Sequence, residues 1–363
     1  NNLVSVIIPT YKRSEHLISA IDSVLSQTCK KIEVIVVDDN DPSSDYRIQT
    51  KKKLEEHFKN EKRLKYIAHP RNLNGAAARN TGIFHSTGSY ICYLDDDDIY
   101  TPNKIEDCIA FLLNNNEFHG VYGGYLGWNS KSNDLNRYKQ GNLSYELLTL
   151  KFEGHYLHTN TTVYARESIL KINGFDDSFQ RHQDLEFNLR FFNYFEIGTV
   201  KKIVCKLRPI PPSNTNRLFG DKLFNIKNKY LLKFRDLILT FSPRDQQLIY
   251  YSNWKEVKSL YDSESEFWNS CSDQDFNGLI AFATVIGEKL DLQRRDITLE
   301  NELRKVENQL SIHLKTIDNL REKVTNQEVF INDLLKQKEW YESTYERLPW
   351  AWKKIGAGIR KLS

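Results

Sequence analysis

With 363 residues, 40% of them hydrophobic and 12% aromatic, the chain can hold one large domain with an appendage, or two domains, around a packed core. A net charge of +3 provides no global basic field and excludes a charge-driven nucleic-acid binder. Five cysteines (Cys29, Cys92, Cys108, Cys205 and Cys271) are odd in number and never spaced as CxxC, which argues against a disulfide framework or zinc site and fits a reducing compartment.

No apolar run approaches the ~20 residues that span a bilayer. The chain opens on strand-like residues rather than a signal peptide. It contains no methionine, so the natural start is expected to be missing or changed. Leu3–Ile8 reads as a buried strand ended by Pro9, and Ser14 as the cap of a helix over Glu15–Ser26 with Leu17, Ile18, Ile21, Val24 and Leu25 on one face. Ile32–Val37 is a second buried strand, followed by turn residues Asp38–Ser44 and a charged helix over Tyr46–Lys59. A short strand near Leu64–Ala68, a small-residue helix over Asn74–His85 and a strand at Tyr90–Leu94 complete the first half. Strand and helix in alternation imply a mostly parallel sheet flanked by helices, with ligands at the carboxyl ends of the strands. That rule puts Pro9–Arg13, Asp38–Asp41, His69–Asn72 and Asp95–Asp98 on one rim.

Four expected regions follow: a catalytic domain over 1–212, a helical extension over 213–290, a coiled coil over 291–345 and a basic amphipathic tail over 346–363. The coiled coil rests on two heptad seams. One runs through Leu292, Leu299, Val306 and Leu320, the other through Leu303, Leu310, Ile317, Val324 and Ile331. A lone amphipathic helix packed on the body is the other way to read them. In the tail, Trp350, Trp352, Ile355 and Ile359 are interleaved with Arg347, Lys353, Lys354, Arg360 and Lys361. That suits a lipid interface, with docking on a partner protein as the alternative.

The strongest chemical signal is Asp95-Asp96-Asp97-Asp98 directly after a strand. Adjacent carboxylates repel, and hard divalent ions such as Mn²⁺ or Mg²⁺ take oxygen ligands and bridge to diphosphates. Capping of a helix starting near Thr101, with Asp98 as the cap, is the simpler alternative. Val36-Val37-Asp38-Asp39 ends another strand on the same rim, where an acid can accept from a base or a ribose, or merely close an Asx-turn. Arg71 and Arg79, in the segments HPRN and NGAAARNTG, can face a diphosphate or sit on a helix surface.

These segments, together with VSVIIPTYKR at 4–13, resemble glycosyltransferase family 2, whose members have the GT-A fold. The resemblance covers about residues 3–210. It implies that Pro9, Thr10, Tyr11 and Arg13 line a nucleotide pocket, that Asp39 contacts the base with help from Arg71, and that Arg79 lies near the diphosphate. It implies Asp95 on the ribose side and Asp97 on the metal, Mn²⁺ or Mg²⁺. Asp96 sits between them and is counted with the donor-binding residues. Gly174-Phe175-Asp176-Asp177 followed by Gln183-Asp184 matches the family's base region, with Asp184 as the base of an inverting reaction. Gln183 stands where the family has Glu, and Asn173 where it has Gly.

His182 is placed to tune Asp184, to touch the acceptor, or to make a structural hydrogen bond. His155, His158 and Asn160 face the acceptor or form a surface loop. Pro212–Arg217 is expected to close over the donor. The implied activity is transfer from a UDP-sugar to a hydroxyl of a saccharide acceptor, lipid-linked, in surface-polysaccharide synthesis. Its implied place is the inner face of the cell membrane, the chain being cytoplasmic, peripheral and oligomeric. A nucleotidyltransferase would carry a Gly-rich loop where PTYKR stands. A non-catalytic coiled-coil scaffold would not need Asp39, Arg79, Asp95, Asp97 and Asp184 together.

Overall fold

The computed structural model describes residues 2–127, 134–150, 157–208 and 221–258, a helical stretch at 322–336, and residues 315, 319, 338 and 339. The chain divides into a unit over Asn1–Gly287 and a second over Glu288–Ser363.

The first unit is built on one eight-stranded sheet. Its strands are β1 (Val4–Thr10), β2 (Ile32–Asp38), β3 (Leu64–Ala68), β4 (Tyr90–Tyr93), β5 (Ile99–Tyr100), β6 (Phe118–Gly127), β7 (Thr162–Ala165) and β8 (Glu196–Leu207), in the order β3-β2-β1-β4-β7-β6-β8-β5. Strands β3, β2, β1 and β4 run parallel. Strand β7 enters antiparallel between β4 and β6, and β6 pairs parallel with β8. Helices α1 (Ser14–Leu25), α2 (Asp45–Phe58), α3 (Gly75–His85) and α4 (Lys104–Asn114) connect the early strands. Then come α5 (Ser144–Thr149), α6 (Arg166–Lys171) and α7 (Gln183–Phe192), with α8 (Asp221–Lys233), α9 (Arg235–Leu239) and α10 (Pro243–Lys258) after the last strand.

The near-continuous apolar runs of β1 and β2 arise because both faces of the sheet are covered. Successive side chains alternate between faces. Val4, Val6 and Ile8 join Leu17, Ile21, Val24, Ile105 and Leu112 of α1 and α4, whereas Ile7 packs with Ala76 and Ile83 of α3 on the other face. The fit of α3 on β1 leaves no room at Gly82, where a Cβ would lie 2.3 Å from Ile7 Cγ2.

Three local expectations are corrected. Strand β1 continues through Pro9 to Thr10, with Pro9 opposite Val37. Its β4 neighbour is paired only as far as Tyr93 opposite Ile7, so the missing proline N–H interrupts no ladder there. Ser14 is the first residue of α1 rather than its cap; the cap is Arg13, without a side-chain hydrogen bond, and Ser14 Oγ donates to Gln49 instead. Asp98 does not cap the next helix, because α4 begins only at Lys104 with Asn103 at the cap position.

Of the expected helical extension, α8 to α10 are described. Residues 322–336 form an exposed helix whose seam residues Val324 and Ile331 are each 53% exposed. The rest of the heptad run, the tail over 346–363, His155 and the segment 212–217 lie outside the described residues.

Candidate active site

The carboxyl ends of the parallel strands open onto a cleft of about 430 Å³. Pro9, Thr10, Tyr11, Arg13, Asp39, Arg79, Asp95 and Asp96 all line it, joined by Asn72, Asn74, Gly75 and Ala78. Eight of the nine residues assigned to donor binding from the sequence therefore meet in one place. The ninth, Arg71, is exposed on the loop beside it.

Asp39 is buried and organises that loop. Its carboxylate accepts from His69 Nδ1 at 2.7 Å, the Leu73 N–H at 2.8 Å, and Asn72 Nδ2 and the Asn74 N–H at 2.9 Å each. These four bonds fix the 69–74 loop around the Asp39 carboxylate. Asn74 then caps α3, accepting from the N–H groups of Ala76 and Ala77.

The four acids occupy four different environments. Asp95 accepts from Arg79 Nη2 at 2.8 Å. Burial opposes its ionisation, but Arg79 and Arg13 outweigh that and hold it below the ordinary carboxylate range. Asp96 is buried and accepts from Thr10 Oγ1 at 2.7 Å; burial, reinforced by the charges of Asp97 and Asp95, lifts it to about 7. Asp97 lies at the rim and pairs with Arg13. Asp98 turns inward, accepting from the Arg208 N–H at 2.7 Å and from Asn160 Nδ2, and burial lifts it also to about 7.

Asn160 and Lys104 hold this turn. Asn160 is fully buried; its Oδ1 accepts the Asp95 N–H at 3.1 Å, and its carbonyl accepts from Lys104 Nζ at 2.6 Å. Lys104, also fully buried, lies 3.4 Å above the Tyr100 ring. Sequence reasoning marked Asn160 without this role and missed Lys104, which looks like an ordinary helix-surface lysine.

The segment carrying Asp184 is tied to the same rim. Arg79 also donates to Gln183 Oε1 at 3.2 Å, so one guanidinium joins Asp95 to the residue before Asp184. Asn80 accepts from the Phe175 N–H and donates to its carbonyl, both at 2.8 Å. That clamp brings Gly174 so close that a Cβ would lie 2.5 Å from Asn80 Oδ1. Asn173 adopts φ +60°, a left-handed backbone that asparagine tolerates better than most residues. This explains why it can stand in for glycine. Glu186, two residues past Asp184, is buried in ion pairs with Arg190 and Lys233.

His158 lies among these groups. Its Nδ1 accepts the Asn160 N–H at 3.2 Å, which leaves the proton of the neutral ring on Nε2. Burial pushes its pKa down, against the attraction of Asp95, Asp184 and Asp97. His182 caps α7 with φ +61° and a buried ring. Burial, with Lys227 and Arg181 nearby, holds it well below the ordinary histidine range.

The raised acids carry a pH signature. In the unfolded chain they titrate near 3.9, and in the fold near 7. Between those values the native state binds more protons, so their contribution to stability declines as pH rises. The depressed His158 and His182 act in the opposite sense, so a single substitution isolates the effect. Asp96→Asn is expected to raise the melting temperature relative to wild type, and by more at pH 8 than at pH 5.5. An equal difference at both pH values, measured by thermal unfolding without ligands, would contradict this assignment.

The family model described as glycosyl transferase family 2 matches residues 5–172. An uncharacterised glycosyltransferase of Methanocaldococcus jannaschii is 27% identical over 233 residues, covering 64% of this chain and 78% of that protein. The Escherichia coli UDP-Glc:alpha-D-GlcNAc-diphosphoundecaprenol beta-1,3-glucosyltransferase WfgD is 40% identical over 131 residues, covering 36% of this chain and 48% of that protein. Against three Rickettsia relatives the chain spans only 33–34% of their length. Among solved structures, S. aureus TarS 1–349 in complex with UDP-GlcNAc superposes with a TM-score of 0.56 at 16% identity, covering 74% of this chain and 79% of that one. The fold is therefore the GT-A fold, and residues 5–172, a little under half of the chain, match the glycosyl transferase family 2 model.

Proposed function

We propose that the chain transfers a sugar, with inversion, from a nucleotide-diphosphate donor (a UDP-sugar) to a hydroxyl of a saccharide acceptor in surface-polysaccharide synthesis. The observation that carries this reading is the convergence on one cleft of Thr10, Arg13, Asp39, Arg79, Asp95 and Asp96, with Asp184 tied to it through the Arg79–Gln183 contact. WfgD, by its name, uses UDP-glucose and a diphosphoundecaprenol-linked acceptor, which supports a lipid-linked acceptor here.

Asp95 and Asp97 suit a hard divalent cation. Their side chains are 31% and 23% exposed, and Asp97 now faces the cation Arg13. Among the described residues no group of three or more potential ligands is assembled, which fits an ion completed by donor phosphates and water. When bound, Mn²⁺ or Mg²⁺ supplies charge neutralisation on the departing diphosphate. Arg79 and Arg13 add fixed positive charge on the same side of the cleft. Asp184 takes the proton of the acceptor hydroxyl as the new glycosidic bond forms.

Calorimetric titration with UDP tests the donor site. The reading calls for binding that strengthens at least tenfold with Mn²⁺; no binding with or without the ion would overturn it.

The exposed seam of 322–336 and the flanking heptads support a homo-oligomer. The basic tail supports a peripheral membrane contact on the cytoplasmic side. No helix among the described residues is long and apolar enough to cross a membrane. Removing 346–363 is expected to abolish binding to vesicles containing anionic lipid at low salt, where each basic residue contributes about 1 kcal/mol. Unchanged binding of the truncated protein would refute the membrane contact.

A further inference from the structure

Asp184 and the helix that carries it lie beyond residue 172, where the family match ends. The packing of that helix start depends on α8 and α10, later still in the chain. Lys227 of α8 is 2% exposed. Its Nζ lies 2.6 Å from Glu256 Oε2 and donates to Asn253 Oδ1 at 2.9 Å, both partners being on α10. Asn253 in turn donates to the carbonyls of Leu148 at 2.7 Å and Ile249 at 2.9 Å. The other oxygen of Glu256 accepts from Arg181 Nη2 at 3.1 Å. Arg181 stands two residues before the helix start, next to His182 in its left-handed conformation at φ +61°. A non-glycine residue held there costs about 1–2 kcal/mol, so the surroundings must impose it.

The charges are arranged as well as the contacts. Burial pushes the Lys227 ammonium down, opposed by the attraction of Glu256 and, least, of Asp184, while Lys227 and Arg181 together disfavour a charge on His182. A cation buried this deeply is not needed for packing, because apolar replacement of buried ion pairs is often neutral or stabilising. A buried charge cluster that perturbs the histidine next to the segment carrying Asp184 is the pattern found at functional sites.

We infer that the buried Lys227–Glu256–Arg181 cluster is a positioning device for Asp184. By it the helices after residue 220, outside the matched domain, set the orientation of the catalytic carboxylate. Glu256 anchors Arg181 and so fixes the turn that launches α7. Lys227 anchors Glu256 through the buried ion pair. None of the three need touch substrate. This inference rests on Asp184 acting as the base.

The test uses Lys227→Met, Glu256→Gln and the double variant in the full chain. Nucleotide release from a UDP-sugar in Mn²⁺ gives kcat and KM, calorimetry gives the Kd for UDP, and hydrogen–deuterium exchange reports on amides 183–186. Each single variant is expected to lower kcat by about 10- to 100-fold, the effect of a small misplacement at the reacting centre. KM and Kd should stay within about twofold and amides 183–186 should exchange at least about tenfold faster; Glu256→Gln, which leaves Lys227 buried without its partner, should lower the melting temperature more than the double variant does. The double variant should be no slower than the worse single variant, because both break one network.

Unchanged kcat and exchange in both single variants would overturn the inference. So would a loss of kcat that merely tracks losses in melting temperature and UDP affinity. A wild-type protein that releases nucleotide from no nucleotide sugar would instead count against the transferase reading. The exchange measurement needs no substrate and still judges the cluster.

Discussion

Asp184→Asn is expected to lower kcat for sugar transfer by about 10³- to 10⁴-fold, the upper range for losing a positioned general base, with UDP affinity unchanged. The substitution keeps the size of the side chain and its place in the first turn of α7. It removes only the ability to take a proton. The donor cleft is lined by other residues, so binding and chemistry separate cleanly. Single-turnover transfer at the wild-type rate in this variant would exclude Asp184 as the base. Loss of UDP binding in parallel would show the residue to be structural.

Asp97→Asn is expected to lower kcat/KM by roughly 10²- to 10³-fold and to abolish the strengthening of UDP binding by Mn²⁺. Losing several kcal/mol of charge stabilisation, at about 1.4 kcal/mol per factor of ten, leads to that range. Asp97 is the acid of the cluster whose pairing lies at the rim, with Arg13. Asp98, by contrast, is occupied by Asn160 and Arg208, so Asp98→Asn should loosen the turn without removing the Mn²⁺ effect. Equal sensitivity to Mn²⁺ in wild type and Asp97→Asn, read by the same titration, would remove Asp97 from the metal site.

The donor cleft was legible because parallel strands put their carboxyl ends on one rim, and each motif directly follows an apolar run. Position in the chain therefore translated into position in space. The later strands were less visible. Strand β6 contains Gly120, Gly123 and Gly124, and glycine weakens a strand pattern, so no strand is assigned there from sequence. Strand β8 is interrupted by Lys201 at φ +48° and shifts register against β6, so no clean alternation marks it.

Roles that depend on burial or on distant partners were hidden for a different reason. Lys104 and Lys227 are fully or almost fully buried, yet local sequence makes each look like a solvated helix lysine. The bond from Arg79 to Gln183 joins residues far apart in the chain, and only the folded sheet brings them together. Asp39 shows the converse. Its motif was plain, but its four hydrogen bonds to the 69–74 loop could not be read from the motif. The left-handed Asn173 and the Asn80 clamp explain how a departure from the family pattern is accommodated without moving the segment that leads to Asp184.

The most direct test of the account is nucleotide release from a panel of UDP- and GDP-sugars by the full chain. It is run with Mn²⁺, with Mg²⁺ and with a chelator, beside the Asp97→Asn and Asp184→Asn proteins. Release is expected from at least one UDP-sugar, dependent on the divalent ion and lost in both variants. Release that persists in the chelator and in both variants, or none from any nucleotide sugar, would contradict it.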